Sequence, residues 1–201
     1  MASINIDNAI AINNLTIVMG SNGHFVGYPQ SKDKDGNFRD IVEFLKDKNG
    51  KMKQESADLK AAVNKLLVDM YNNGKRKHDG QSKEPVAHDI KAFVTPLRDS
   101  QNATKGLATV QFGDAFKINS VRVNENSKTG ENFVAMPSRP DKSSENGYRD
   151  VVHPVNKEFG EKLRDIVLKQ FDNQVQWKKH IVGKEQVQKD KTVNKTNPGL
   201  E

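Results

Sequence analysis

The 201-residue chain has no cysteine, which excludes disulfides and thiolate metal sites and makes a reducing compartment, the cytoplasm, its simplest setting. Long hydrophobic runs are also missing. Nothing approaches the roughly 20 apolar residues of a membrane span, and no signal-peptide core follows Met1. Hydrophobic residues make up 34% and charged residues 29%, so only modest cores can form and much polar sequence must sit in loops or tails. Aromatics are few, and Trp177 is the one tryptophan. No G-x-G-x-x-G or P-loop occurs to cradle a phosphate, and the five histidines lack metal-ligand spacing such as H-x-x-x-H. His153 has no serine, cysteine or carboxylate arrangement beside it that reads as a triad, which points to a structural or interface histidine. The segment Asp33-Lys34-Asp35-Gly36-Asn37 lacks the ligand ladder of a calcium loop and reads as an Asp-Gly turn. No catalytic activity and no cofactor are expected.

What is present is one pattern, written twice. Phe25-Val26-Gly27-Tyr28-Pro29-Gln30 is followed by Gly36-Asn37-Phe38-Arg39-Asp40-Ile41-Val42. Phe133-Val134-Ala135-Met136-Pro137-Ser138 is followed by Gly147-Tyr148-Arg149-Asp150-Val151-Val152. Upstream, residues 3–13 align with 109–119, so the chain is an internal duplication with an offset of roughly 106 to 110 residues. That period is too long for a solenoid and means two copies of a small domain, and a duplicated domain often places in one chain what related proteins build as a homodimer.

Each copy reads as an antiparallel β-meander followed by an amphipathic helix, which makes the fold class α+β. In copy 2, residues 107–112 alternate, Gly113-Asp114 predicts a two-residue hairpin turn, and Phe116 and Ile118 share a face. The alternation then slips by one residue before Val121 and Val123. A slip would turn the apolar side chains to the wrong face, so a β-bulge is predicted at Asn119-Ser120, and another at Asn13-Asn14 in copy 1. Residues 25–28 and 133–136 are strands ended by proline. Residues 38–44 and 148–152 are the next strands, after glycine turns at Asp35-Gly36 and Asn146-Gly147. The helix stripes are Leu59, Val63, Leu66, Leu67 and Met70, stopped by Asn72-Asn73-Gly74, and Phe159, Leu163, Ile166, Val167 and Phe171, with Asn156 as N-cap.

These features divide the chain into copy 1 (1–73), a polar basic linker (74–88), copy 2 (89–174) and a mobile basic tail (175–201). The copies are expected to pack as a pseudo-dimer. Copy 2 opens with an extra strand at 90–97 that copy 1 lacks. The open edge this leaves should be met by copy 2 or by a neighbouring molecule, and about 15–20 further residues are expected upstream of Ser3 in the native protein.

Copy 2 resembles the SpoVG (stage V sporulation protein G, or septation protein) family in Phe133-Val134-Ala135-Met136-Pro137-Ser138 and in Gly147-Tyr148-Arg149-Asp150-Val151-Val152-His153-Pro154-Val155. The likeness runs from about residue 90 to 171. Copy 1 keeps Phe25, Val26, Pro29, Gly36, Arg39 and Asp40, but carries Glu43-Phe44 where the family has His-Pro. The resemblance implies a small dimerising α+β domain that binds DNA and RNA as a bacterial cytoplasmic regulator, without catalysis. It also implies nucleic-acid contacts near the C-terminal helix, here Lys157, Lys162, Arg164 and Lys169, continuing into Lys178 and Lys179.

The net charge of +6 fits an acidic partner such as DNA or RNA. Arg39 and Arg149 each precede an Asp in the best-kept motif. Either they present a phosphate-binding fork from the sheet, or they are fixed in ion pairs; adjacent strand residues face opposite ways, so the partner is not the following Asp. The run Lys75 to His78 and the tail lysines either steer nucleic acid or are simply solvated. Trp177 either offers a base a stacking surface or anchors the end of the helix. The competing function is a non-catalytic interaction module that recruits partners by strand addition at its sheet edges.

Overall fold

The computed structural model describes residues 1–78, 89–97, 100–145 and 147–193, with side chains described as far as 181 except at 179. Most of the predicted linker and the end of the predicted tail therefore lie outside the described residues. Copy 1 contains β1 (Ala2–Ile6), β2 (Ile10–Gly20), β3 (Gly23–Gly27), β4 (Gln30–Lys32), β5 (Phe38–Asp40), β6 (Val42–Phe44) and α1 (Gln54–Asn72). Copy 2 contains β7 (Ile90–Pro96), β8 (Thr104–Phe112), β9 (Phe116–Glu125), β10 (Asn132–Ala135), β11 (Ser138–Pro140), β12 (Tyr148–Asp150), β13 (Val152–Pro154) and α2 (Lys157–Val193). The α+β class holds: two antiparallel sheet regions, each followed by a helix.

Both predicted bulges are present. Ala108 pairs with Val121 and Val110 with Ile118, so Asn119 and Ser120 together face Thr109. In copy 1, Ala2 pairs with Leu15 and Ile4 with Ile12, leaving Asn13 and Asn14 opposite Ser3. Asn14 and Ser120 both take φ of 64°, the left-handed conformation that lets the extra residue loop out. The slip keeps Ile10, Ile12 and Leu15, and Phe116, Ile118, Val121 and Val123, all inside. The predicted two-residue turn is corrected to a three-residue loop. Phe112 pairs with Phe116 around residues 113–115, and Ala115 N–H returns to Phe112 O at 3.1 Å.

The larger correction concerns the meander. Residues 38–44 and 148–152 do not form single strands. Each segment breaks at a buried residue, Ile41 or Val151, into two short strands. The first of each pair closes a local hairpin arm, β4 with β5 and β11 with β12. The second crosses to the other copy. β6 pairs with β9 (Val42 to Ile118, Phe44 to Phe116), and β13 pairs with β2 (Val152 to Ile12, Pro154 to Ile10). The bulge asparagines lock these crossings. Asn119 N–H donates to Ile41 O at 2.8 Å and its amide to Asp40 O at 3.0 Å. Asn13 does the same with Val151 O at 2.8 Å and Asp150 O at 3.0 Å.

The helices continue the reciprocity. Leu45 N–H donates to the buried Ser56 hydroxyl at 2.8 Å, and that hydroxyl donates to Asp114 O at 2.8 Å. Glu55 accepts from Asp114 N–H at 2.9 Å, so the start of α1 sits on the copy 2 turn. At α2, Asn156 caps the helix by accepting from Phe159 N–H at 2.8 Å, while its amide donates to Asn8 O at 2.7 Å on the copy 1 turn. The end of α1 is a Schellman motif: Lys75 N–H reaches Met70 O and Gly74 N–H reaches Tyr71 O, with Gly74 at φ 64°. One apolar cluster spans both copies, from Ile6, Ile10 and Leu15 to Phe112, Val121 and Phe171. Phe112 stacks on Phe116 with centroids 4.8 Å apart.

Two further expectations are corrected. Helix α2 runs on past Gln174 to Val193, where a mobile tail from 175 was predicted. Lys, Gln and Glu carry good helix propensity, so loss of the apolar stripe removed the packing face without removing the helix. Trp177 is 59% exposed and does not anchor it. The outer edge of β1 has no strand partner among the described residues. No helix among the described residues is long and apolar enough to cross a membrane.

Candidate nucleic-acid interface

The eight basic residues singled out in the sequence fall into different environments. Arg39 and Arg149 sit on the arms, and each is held by an acid across its own hairpin: Arg39 to Asp33 at 3.1 Å, Arg149 to Asp141 at 2.8 Å. The ion-pair reading therefore accounts for both. Asp33 lies below the ordinary carboxylate range chiefly because it accepts the Asn37 backbone N–H, with Arg39 adding to the effect. Asp141 is lowered first by the Ser143 hydroxyl and backbone N–H, then by the charge of Arg149. Both arginines are more than half exposed on the side chain, at 69% and 56%, so each retains a face toward solvent. The Asp33 loop is the predicted turn, its carboxylate collecting the N–H groups of Asp35 and Asn37.

His153 and Glu43 occupy equivalent places on the two crossing strands. The Asn13 amide lies 3.3 Å from His153 Nδ1, and the Asn119 amide donates to Glu43 at 3.1 Å. Glu43 also pairs with Lys117, its neighbour in register, at 3.1 Å; His153 is opposite Ala11 instead. The departure from His-Pro in copy 1 is thus matched across the pair. It is an interface substitution at a structural position.

On α2, Lys162, Arg164 and Lys169 are exposed and form no ion pair among the described residues. Lys157 lies 3.7 Å from Glu161 one turn on. Lys178 donates to Pro96 O at 2.9 Å, tying the helix to the end of β7, and the side chain of Lys179 lies outside the described residues. At about 100° per residue, Lys162 and Lys169 share one flank of the helix, while Lys157 and Arg164 share the other. Between the flanks runs the exposed back of the helix, which is acidic: Glu158, Glu161, Asp165 and Asp172. The four basic residues therefore do not make one surface. Trp177 lies about 60–80° around the helix from Lys162 and Lys169 and about 140° from Arg164, which places an exposed aromatic ring by the first flank. The acidic ridge was readable at helical spacing, and reading only the basic residues missed it.

The SpoVG family model matches residues 1–56 and 87–173, one segment in each copy. Three relatives bear the name "Putative septation protein SpoVG". The Acholeplasma laidlawii protein is 38% identical over 74 residues, covering 36% of this chain and 72% of its own length. The Phytoplasma australiense protein is 32% identical over 75 residues, covering 37% and 74%. That of Lachnospira eligens is 35% identical over 83 residues, covering 39% and 90%. Each relative thus accounts for little more than a third of this chain, as one copy of a duplication would. No solved structure matches it. With both segments matched and single-copy relatives covered over most of their length, the chain belongs to the SpoVG family, as a tandem duplication.

Proposed function

We propose that this protein is a cytoplasmic, nucleic-acid-binding regulator of SpoVG type whose two copies pack as a pseudo-twofold pair, doing in one chain what a homodimer would do. The reciprocal strand pairing supports the packing. The binding surface is the flank of α2 that carries Lys162 and Lys169, with Trp177 beside it. The observation that carries this reading is that both lysines are exposed without an ion partner among the described residues, two turns apart on one side of the helix. Two ammonium groups at that spacing lie about 10 Å apart and can meet phosphates along one backbone. Arg39 and Arg149 keep exposed faces but are already neutralised by acids, so they add little. Duplex DNA binding should be measurable at about 50 mM salt and weaken steeply as salt rises. Lys162→Glu with Lys169→Glu should cut affinity and flatten the log–log salt slope by about two units, one per lost phosphate contact. Unchanged binding in a variant with unchanged melting would place the surface elsewhere.

A second reading has its own observation. The outer edge of β1 is unpaired among the described residues, and such an edge recruits a strand. Non-catalytic self-association through this edge would appear in sedimentation velocity as a concentration-dependent dimer. A single monomeric species across the range would remove it.

A further inference from the structure

The sheet of β7, β8, β9 and β10 is covered by α2 on one face only. Gly106 lies against Phe171 on the covered side, so its alternating neighbours Leu107 and Thr109 point away from the helix. On that open face Phe93 is 56% exposed, Leu107 48% and Phe133 43%. Arg122 stands among them, exposed, and forms no ion pair among the described residues. The register fixes the layout. Leu107 is directly opposite Arg122, with Thr95 and Ala135 on the outer strands of the same row. Phe93 lies one row to one side, opposite Thr109, and Phe133 one row to the other, opposite Asn124. The two rings thus occupy diagonal corners of a four-strand surface, about 20 Å apart from three strand spacings across and four residues along. A groove of about 580 Å³ opens along Phe93, Leu107 and Arg122, with Lys32 and Ser31 from the copy 1 arm on its rim and Phe133 beyond its end.

We propose that this open face of copy 2 is a platform for a short single-stranded nucleic acid, with bases stacked on Phe93 and Phe133 and phosphates held by Arg122 and Lys32. Aromatic rings on a flat sheet stack bases of any identity, and a cation between them holds the backbone; that pairing of features defines sequence-tolerant single-strand sites. Charge complementarity favours this occupant over the others. The groove lining includes Arg122 and Lys32, several hydroxyls, and no carboxylate. A second copy of the chain would bring the same cations against themselves. An apolar peptide would bury the guanidinium and the hydroxyls without partners. Copy 1 supplies an internal comparison. It retains Phe25 at the position of Phe133, but Thr16 replaces Arg122, Met1 stands in the place of Leu107, and no strand among the described residues corresponds to β7. Among the described residues the set of ring, cation and outer strand is complete only in copy 2.

This surface is separate from the flank of α2, so the two readings fail independently. The test uses the full chain and a fluorescein-labelled oligouridine of about 12 nucleotides, within the size of single-strand sites. Phe93→Ala and Phe133→Ala should each weaken its binding by about fivefold or more, the loss expected for one stacked base. Arg122→Gln should reduce the salt slope by about one unit. Phe25→Ala should have no effect, and duplex affinity should be unchanged in all four variants. A 5-iodouridine oligonucleotide should cross-link at Phe93 or Phe133. All these side chains are exposed, so melting temperatures should match the parent. The proposal is overturned if both phenylalanine variants bind the oligonucleotide normally, if cross-links map only to α2, if the parent binds no single strand, or if the variants abolish a protein dimer while oligonucleotide binding persists.

Discussion

Val152→Asp is expected to unfold both copies in one transition, leaving no folded protein at 25 °C. Val152 lies on β13, has no solvent exposure, and pairs with Ile12 in the sheet of the other copy. Its side chain sits in the core that Ile10 and Leu15 share with it. An aspartate there loses the roughly 2 kcal/mol that burial of a valine contributes, and adds an unpaired buried charge worth several kcal/mol more. The total approaches the 5–15 kcal/mol that holds a domain of this kind folded. The loss cannot stay in copy 2, because β13 is part of the copy 1 sheet. Val155→Asp, three residues on at a 37% exposed position, should cost little and serves as the control. Circular dichroism melts of the two variants decide the matter. A Val152→Asp protein that keeps half its cooperative transition would show that the copies fold separately.

A fragment containing residues 89–201 should not persist as a folded monomer but should form a homodimer. Without copy 1, the stretch of β9 that pairs with β6 is bare, and Phe116 and Ile118, both fully buried in the intact chain, lie along it. β13 is left without β2, and Asn156 without the Asn8 carbonyl. A second fragment can satisfy all three. Its β13 takes the place of β6 in the same antiparallel register, and its turn at 113–115 takes the place of the turn at 7–9. The exchange is expected because β6 and β13 are equivalent strands meeting equivalent bulges. Analytical ultracentrifugation at micromolar concentration should give the dimer mass. A folded, monodisperse monomer would contradict this account of what the crossing strands do.

Much of the local structure was legible from residue order. The phase slip at Asn13-Asn14 and Asn119-Ser120 gave the bulges, because a strand with one buried face tolerates no other reading of a broken alternation. The stripes around Val63 and Leu67, and around Leu163 and Val167, gave the helices and their buried faces. The Asn156 cap and the Gly74 stop were legible for the same reason: orphan backbone groups at helix ends need those residues. The basic candidates were less legible. Arg149 and Asp141 are eight residues apart with a loop between them, and only the closure of that loop into a hairpin brings them to 2.8 Å.

Residue order alone established that there are two copies, which residues face inward, where each strand slips, where α2 begins and where α1 ends. The duplication shows as a repeat of residue order, and the rest depends on contacts within a few residues along the chain. Which sheet each crossing strand joins is settled by the three-dimensional packing. Residues 42–44 pair with 116–118, and 152–154 with 10–12, across separations that no periodicity encodes. An antiparallel strand carries the same alternation whichever neighbour it meets, so Val152 reads as buried in either arrangement. The choice rests on the core that both copies build together, and on Asn13 and Asn119 reaching across it.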